Sequence, residues 1–183
     1  MKIVKSITFL FILFLITSSK AQDRDLQLDK LFNELKVNNE ALTYGIEQKI
    51  WEIWSTHPND HELTKRLTEG SSLVRNKQLL KAVNIFTEVI DLDPTWAEAW
   101  NKRATVLYMM GDYKRSQEDI DKVLELEQRH FGALAGQGLI NIKLENYEKA
   151  IESYKKAQEI YPTMRSLKIM IEKIKELINQ NLI

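Results

Sequence analysis

The chain has 183 residues, of which 28% are charged and 44% are hydrophobic, and it contains no cysteine. This composition is ordinary for a folded globular protein, and it excludes disulfides, thiolate metal sites and cysteine nucleophiles. The 26 basic and 26 acidic residues cancel, and no block of like charges indicates a nucleic-acid or membrane-surface patch, so no nucleic-acid partner is expected.

Residues 1–21 have the pattern of a cleavable export signal. Two lysines precede an apolar run over residues 7–16, and the small residues Ser19 and Ala21 follow it. A run of about 10 apolar residues is too short to cross a bilayer core, which needs about 20. We therefore expect cleavage between Ala21 and Gln22, a periplasmic or secreted mature protein, and no membrane span after cleavage. An uncleaved anchor or a buried helix is the alternative.

Two amphipathic segments follow the signal within residues 22–62. Apolar residues recur at helical spacing from Leu28 to Leu35 and again from Ile46 to Trp54. We predict that the two segments form an N-terminal helical hairpin docked on the first repeat unit. Trp51 and Trp54 are the candidate anchors of this hairpin.

A period of 34 residues organises the middle of the chain. Pro94 and Pro162 are 68 residues apart, which is twice 34, and five columns of like residues share the spacing. The columns are Gly70, Ala104 and Gly138; Ala82, Ser116 and Ala150; Phe86, Ile120 and Tyr154; Val89, Val123 and Ala157; and Leu79, Tyr113 and Tyr147. Each unit is interpreted as two amphipathic helices joined by a short turn. One hairpin cannot bury its own apolar face, whereas several stacked in register make a continuous core.

These columns resemble the tetratricopeptide repeat (TPR) family, whose pattern is an early aromatic, a Leu-Gly pair, then Ala, a Phe-like residue and a closing Pro. The resemblance implies an all-α solenoid of about three helix hairpins. Its units are 63–96, 97–130 and 131–164, and the apolar face of residues 165–183 predicts a C-terminal capping helix. Residues 96–105 and 129–138 are also similar to exported bacterial TPR proteins without an established activity.

One column departs from the TPR pattern by being polar. Glu69, Arg103 and Gln137 replace the leucine before the small residue. Because they repeat at the common spacing, we expect a polar ladder in which Arg103 bridges Glu69, with Asp119 as a second candidate partner. A buried charge is tolerated only when it is paired and hydrogen-bonded. A register device inside the core is the preferred interpretation, and a ligand-gripping arginine is the alternative.

The TPR resemblance also implies a concave groove, lined by the first helix of each unit, that binds a protein or peptide partner. The candidate groove residues are Arg75, Asn101, Thr105, Tyr108, Met109, Leu139 and Lys143. Their mixture of apolar and small polar side chains suits an extended or helical segment. Leu67 and Ser71 cannot supply the basic clamp that some TPR domains place on a terminal carboxylate. Alternatively, Leu139 and Ile142 are partly buried under the final helix.

Patterns for catalysis, metal binding and cofactor binding are lacking in the sequence. It has no Gly-rich phosphate loop, nucleophile elbow or HExxH motif. His57 and His61 lie four residues apart, but Pro58 interrupts any shared helix, so Asp60 is interpreted as a helix cap. His130 is interpreted as a turn residue. We therefore predict a non-enzymatic protein without cofactor or metal.

Three functional hypotheses remain at this point, and the oligomeric state is left open. The preferred one is an exported scaffold or adaptor that holds a protein partner in the concave groove. A self-associating structural protein of the cell envelope, with Trp51, Trp54 or the last helix as its interface, is the alternative. An envelope enzyme is the least favoured.

Overall fold

A computed structural model describes residues 22–37 and 40–181 of the chain. The predicted export signal, residues 1–21, lies outside the described residues. Within them the chain forms nine α-helices and no β-strand. The helices are α1 (22–35), α2 (Glu40–Ser55), α3 (His61–Arg75), α4 (Leu79–Leu92), α5 (Ala97–Met109), α6 (Tyr113–Leu126), α7 (Phe131–Lys143), α8 (Tyr147–Ile160) and α9 (Arg165–Asn181). The predicted all-α solenoid of helical hairpins is confirmed.

Three hairpins follow one another along the chain: α3 with α4, α5 with α6, and α7 with α8. The second helix of each hairpin contacts the first helix of the next, so the hairpins stack into a solenoid. The turn inside each hairpin places one residue in the left-handed region: Lys77 (φ 58°), Gly111 (φ 81°) and Glu145 (φ 59°). These three residues share the 34-residue spacing, so the period extends to the backbone conformation.

The repeated columns of the sequence pack against each other inside the hairpins. In each hairpin a large side chain of the second helix meets a small residue of the first. The pairs are Phe86 with Gly70, Ile120 with Ala104, and Tyr154 with Gly138. A ring therefore lies against glycine, whereas the smaller isoleucine tolerates alanine. This pairing sets how closely the two helices of each hairpin approach.

α1 and α2 form the predicted N-terminal hairpin, but its predicted docking on unit one is wrong. Its buried face belongs to one apolar cluster with Phe131 and Leu134 of unit three and with Tyr161. Contact with unit one lies at the C-terminal end of the hairpin, where the Trp96 indole Nε1 donates a hydrogen bond of 2.8 Å to the Trp54 carbonyl.

The physical reason for this docking lies at Gly132, in the first turn of α7. The Trp51 ring abuts the bare backbone there, with its Cη2 atom 2.5 Å from where a Cβ would stand. Unit one carries Thr64 two periods earlier, and unit two carries Glu98 one period earlier. A side chain at either position fills the space that the indole needs. Trp51 and Trp54 are thus anchors of the hairpin, but on unit three.

α9 packs on α8 and closes the far end of the solenoid. Leu167, Ile171 and Ile174 on one face of α9 are each at most 5% exposed, whereas Ile169 on another face is 53% exposed. The capping role predicted for this helix is confirmed, because its apolar face covers the last hairpin. None of the helices in residues 22–37 and 40–181 is long and apolar enough to cross a membrane.

Candidate functional site

A cleft between α5 and α7 brings together four of the predicted groove residues. Asn101, Thr105, Tyr108 and Leu139 line it, together with Gly132 and Gly136 of α7. Leu139 is 38% exposed, so it is not buried under the final helix. The cleft is small and open on one side, with a volume of about 70 Å³, so it has room for a single side chain rather than a whole domain.

The other three predicted groove residues lie at the open end of this surface. Arg75, Met109 and Lys143 end α3, α5 and α7 and are exposed, and none of them lines the cleft. Met110 and Leu144, the next residues of units two and three, are 42% and 48% exposed. The cleft therefore opens onto an apolar edge, with the basic residues at its margin.

The predicted polar ladder between units does not form. The Arg103 Nε and Nη2 atoms donate two hydrogen bonds of 2.8 Å to the Asp119 carboxylate, and Nη1 donates to Thr87 at 3.1 Å. Glu69 lies exposed on α3, so the predicted bridge from Arg103 to Glu69 is wrong.

The reason is that Arg103 and Gln137 each bind a residue of their own hairpin, and the one bond from Arg103 to unit one goes to Thr87 instead of Glu69. Gln137 accepts a hydrogen bond of 3.0 Å from Ser153, and Arg103 binds Asp119, in both cases on the second helix of the same unit. The equivalent position of unit one is Ile85, which offers Glu69 nothing polar. Arg103 and Asp119 are 14% and 5% exposed, so their ion pair is structural rather than a site for a ligand.

The N-terminal hairpin closes one end of the groove with aromatic rings. The Trp54 indole stacks on the His130 imidazole with 4.0 Å between ring centroids and 7° between planes. Trp51 meets Phe131 edge-on at 5.4 Å, and the Lys102 ammonium lies 5.7 Å from the Trp51 ring. Both tryptophans are thus engaged inside the chain, Trp54 at 3% exposure and Trp51 half-buried.

A buried polar network lies beneath these rings. Glu98, which is fully buried, accepts hydrogen bonds of 3.0 Å from His130 Nε2 and from Asn101 Nδ2. Its other carboxylate oxygen is 2.9 Å from the Lys102 ammonium. Burial by itself raises the pKa of the Glu98 carboxyl, but the hydrogen bond from His130 and the charge of Lys102 outweigh it and hold the pKa below its ordinary value.

His130 is the N-cap of α7 rather than the turn residue that the sequence predicted. Its Nδ1 accepts the Ala133 backbone N–H at 3.0 Å, so the proton of the neutral ring is on Nε2 and faces Glu98. No column of the repeat marks this residue. The sequence signal that could have pointed to this site is the pair of glycines at 132 and 136, which stand where unit two has Glu98 and Lys102.

Of the other two histidines, His57 takes a structural position just before unit one, and His61 is exposed at the first residue of α3. His57 Nε2 lies 2.8 Å from the Asp93 carboxylate, and the ring meets Trp96 edge-on at 5.0 Å. Asp60 caps α3 by accepting the Glu62 and Leu63 backbone N–H groups, as predicted. In the described part of the chain, no group of three or more His, Asp or Glu side chains is placed to hold a metal ion.

Comparison with known proteins identifies the family of this solenoid. Two tetratricopeptide repeat models match residues 97–130 and 132–164. A TPR repeat-containing protein of Rhizobium etli is 30% identical over 156 residues, which cover 85% of this chain and 76% of that protein. The chain belongs to the tetratricopeptide repeat family.

Two further relatives match over shorter shares of their length. The tetratricopeptide repeat protein 36 homolog of Nematostella vectensis is 30% identical over 111 residues, covering 60% of each chain. Hsp70-Hsp90 organizing protein 1 of Glycine max is 25% identical over 61% of this chain, which spans 20% of that protein.

Solved structures share the fold at low sequence identity. The first TPR domain of Spaghetti (RPAP3), bound to the HSP90 peptide SRMEEVD, has a TM-score of 0.62 at 17% identity and covers 64% of this chain and 93% of that chain. MamA has a TM-score of 0.61 at 19% identity and covers 79% of this chain and 85% of that chain.

Proposed function

We propose that this chain is an exported TPR scaffold that holds a segment of another protein in the cleft between α5 and α7. The observation that carries the proposal is the cleft itself, where Tyr108, Leu139 and Thr105 form an open, largely apolar wall on adjacent first helices. Ordinary core packing leaves no such opening between adjacent helices. The first TPR domain of Spaghetti holds an HSP90 peptide, which supports peptide binding as the use of such a surface.

The side chains of the cleft distinguish the proposed ligand from an acidic terminal peptide. The four α7 residues that line the cleft carry no charge, and the Lys102 ammonium is engaged by the Glu98 carboxylate. Binding would therefore depend on apolar burial with a few hydrogen bonds rather than on ion pairs. The peptide SRMEEVD is accordingly expected not to bind.

Selection of random displayed peptides on the purified chain tests the proposal, followed by fluorescence polarisation with the enriched peptides. Tyr108→Ala with Leu139→Ala is expected to weaken binding by at least tenfold, since two apolar contacts of about 1 kcal/mol or more are removed. The matched control is Leu80→Ala with Leu92→Ala, because both leucines are exposed on α4, the second helix of unit one. Equal loss in both variants, or none in either, contradicts the proposed groove.

Export is the second part of the proposal, and it is supported by the basic start, the short apolar run and the small residues of residues 1–21. Mass spectrometry of the protein isolated from cell fractions would give the mature N-terminus. Gln22 as the first residue, in an envelope or secreted fraction, is the expected result. An intact Met1 in the cytoplasmic fraction contradicts it.

A further inference from the structure

The open cleft and the closed end of the groove are one helical turn apart. Gly132 and Gly136 lie four residues apart on α7 and therefore share a face. At Gly132 that face is covered by the Trp51 ring. At Gly136, among the described residues outside the backbone of α7, the atom within 4 Å of an added Cβ is Cδ1 of Ile120, at 3.4 Å. The second glycine thus presents a similar bare backbone surface with no ring on it.

A nearly buried hydrogen-bond acceptor lies beside this bare surface. Asn101 lines the cleft and is 7% exposed, and its Nδ2 donates to the Glu98 carboxylate at 3.0 Å. Because a carboxylate only accepts, this contact fixes the amide orientation, and no residue in the described ranges donates to Asn101 Oδ1. This oxygen is not among the fully buried unpaired atoms, so a ligand that brings a donor to it would take the place of solvent.

The neighbouring hydroxyl adds a second acceptor to the same wall. Thr105 Oγ1 gives its proton to the Asn101 backbone carbonyl at 2.9 Å, which leaves its lone pairs for the cleft. The lining of the cleft is otherwise largely apolar and includes Tyr108 on the same helix and Leu139 on α7. The cleft therefore combines a flat apolar floor, an aromatic wall and acceptor atoms, and it suits a flat ring that carries an N–H.

We propose that the cleft takes a tryptophan side chain of the partner segment, with its ring on Gly136 and its indole N–H donated to Asn101 Oδ1. This inference rests on the proposed function and names the chemistry of its ligand. The chain already packs one tryptophan in this way beside the cleft, where Trp51 lies on Gly132 and donates its indole N–H to the Glu47 carboxylate at 3.2 Å. An indole joins a large apolar area to one rigid ring N–H donor. No other neutral side chain combines these two features.

The test uses three small probes: N-acetyl-tryptophanamide, its 1-methylindole analogue, which cannot donate, and N-acetyl-phenylalaninamide. Titration followed by ¹H–¹⁵N NMR of the purified chain would give the three dissociation constants. We expect the tryptophan amide to shift the Gly136 and Leu139 amide signals and to bind roughly three- to tenfold more tightly than the other two probes. Equal affinity of the three probes, or shifts that avoid α7, overturns the inference.

A variant of the glycine provides the matching protein control. Gly136→Val fills the floor of the cleft, and its Cβ makes an ordinary contact with Ile120, so we expect the fold to persist and binding to be lost. Gly45→Val is the control, because Gly45 is a helical glycine of α2 with open space around it. Equal thermal midpoints of the two variants, measured by circular dichroism, would show that they are equally stable, so that their affinities for the probe can be compared. Undiminished binding by Gly136→Val overturns the inference.

Peptides selected for the proposed function separate the two claims. Peptides that lose affinity with Tyr108→Ala and Leu139→Ala, but keep it when their own tryptophan is replaced by phenylalanine, leave the groove in place and refute the tryptophan site. Peptides that ignore both changes refute both claims. The inference is supported if replacing the peptide's tryptophan lowers its affinity for the wild-type chain roughly tenfold and leaves its affinity for Gly136→Val unchanged.

Discussion

Replacing Gly138 by alanine is expected to destabilise unit three, although alanine is the better helix former. Gly138 lies in the middle of α7 and faces the Tyr154 ring, whose Cζ atom would be 2.6 Å from the new Cβ. Tyr154 is 2% exposed, so its ring has no free space into which to move. The added methyl group must therefore push α7 and α8 apart or force the ring off its rotamer.

Two opposing terms set the magnitude of this effect. Replacing glycine inside a helix by alanine contributes about 1 kcal/mol of stability. Overpacking a rigid core costs roughly 1–3 kcal/mol, and a ring carbon at 2.6 Å places Gly138 near the upper end of that range. We therefore expect Gly138→Ala to lower the free energy of unfolding by about 1–2 kcal/mol.

Unit two of the same chain provides the compensating change, because it pairs Ala104 with Ile120 where unit three pairs Gly138 with Tyr154. Tyr154→Ile alone leaves a cavity and is expected to cost about 2 kcal/mol. In the double variant, isoleucine meets alanine as in unit two, so it should be more stable than the sum of the single effects by at least 1 kcal/mol or so.

Urea unfolding followed by far-UV circular dichroism measures all four corners of this cycle. Gly45→Ala in α2 is the matched control, because no atom of the described residues lies within 4 Å of its added Cβ, and it should stabilise slightly. A Gly138→Ala protein at least as stable as wild type, or additive effects in the double variant, would show that the glycine–ring contact does not set the distance between the helices.

Three further predictions concern the turns, the buried network and the ion pair. Lys77→Gly and Glu145→Gly should each raise the free energy of unfolding by about 0.5–1 kcal/mol, because both residues have positive φ; thermal melts check this. The pKa of the Glu98 carboxyl in the folded state lies below its ordinary value. The stabilisation that the carboxylate provides is therefore complete above the ordinary pKa and is lost as the pH falls through the folded-state pKa. Glu98→Gln should therefore flatten the loss of stability in urea titrations below about pH 5. Asp119→Ala leaves the guanidinium of Arg103 buried without its carboxylate and should cost about 3–5 kcal/mol by chemical denaturation; a cost below 1 kcal/mol would contradict a structural pair.

The repeat architecture could be predicted from the sequence because its information is local and repeated. Helical periodicity marks each amphipathic helix, and the common spacing places Gly70, Ala104 and Gly138 at equivalent points of successive hairpins. Contacts inside a hairpin follow from that register. For this reason the pairing of Arg103 with Asp119 was within reach, whereas its expected bridge to Glu69 required knowledge of the spacing between units.

The cleft was predicted in part, for the same reason. The first-helix rows place Thr105 and Leu139 at equivalent positions and Tyr108 one turn further along α5, and all three line one cleft. Gly132 and Gly136 were missed because a glycine pair has no apolar period of its own. The role of this pair appears only when the space above each glycine is known, with an indole on Gly132 and only the end of the Ile120 side chain near Gly136.

The sequence by itself determined the class of fold, the number of stacked hairpins and the face of each helix that is buried. Only the tertiary structure decided where the N-terminal hairpin lies and that His130 meets Glu98, 32 residues away in the chain, beneath Trp54. An amphipathic pattern states that a face must be covered, because exposed apolar area costs free energy wherever it lies. It does not state what covers the face, because that choice depends on shape: the indole of Trp51 lies where the backbone is bare, at Gly132, and not where Thr64 fills the same place.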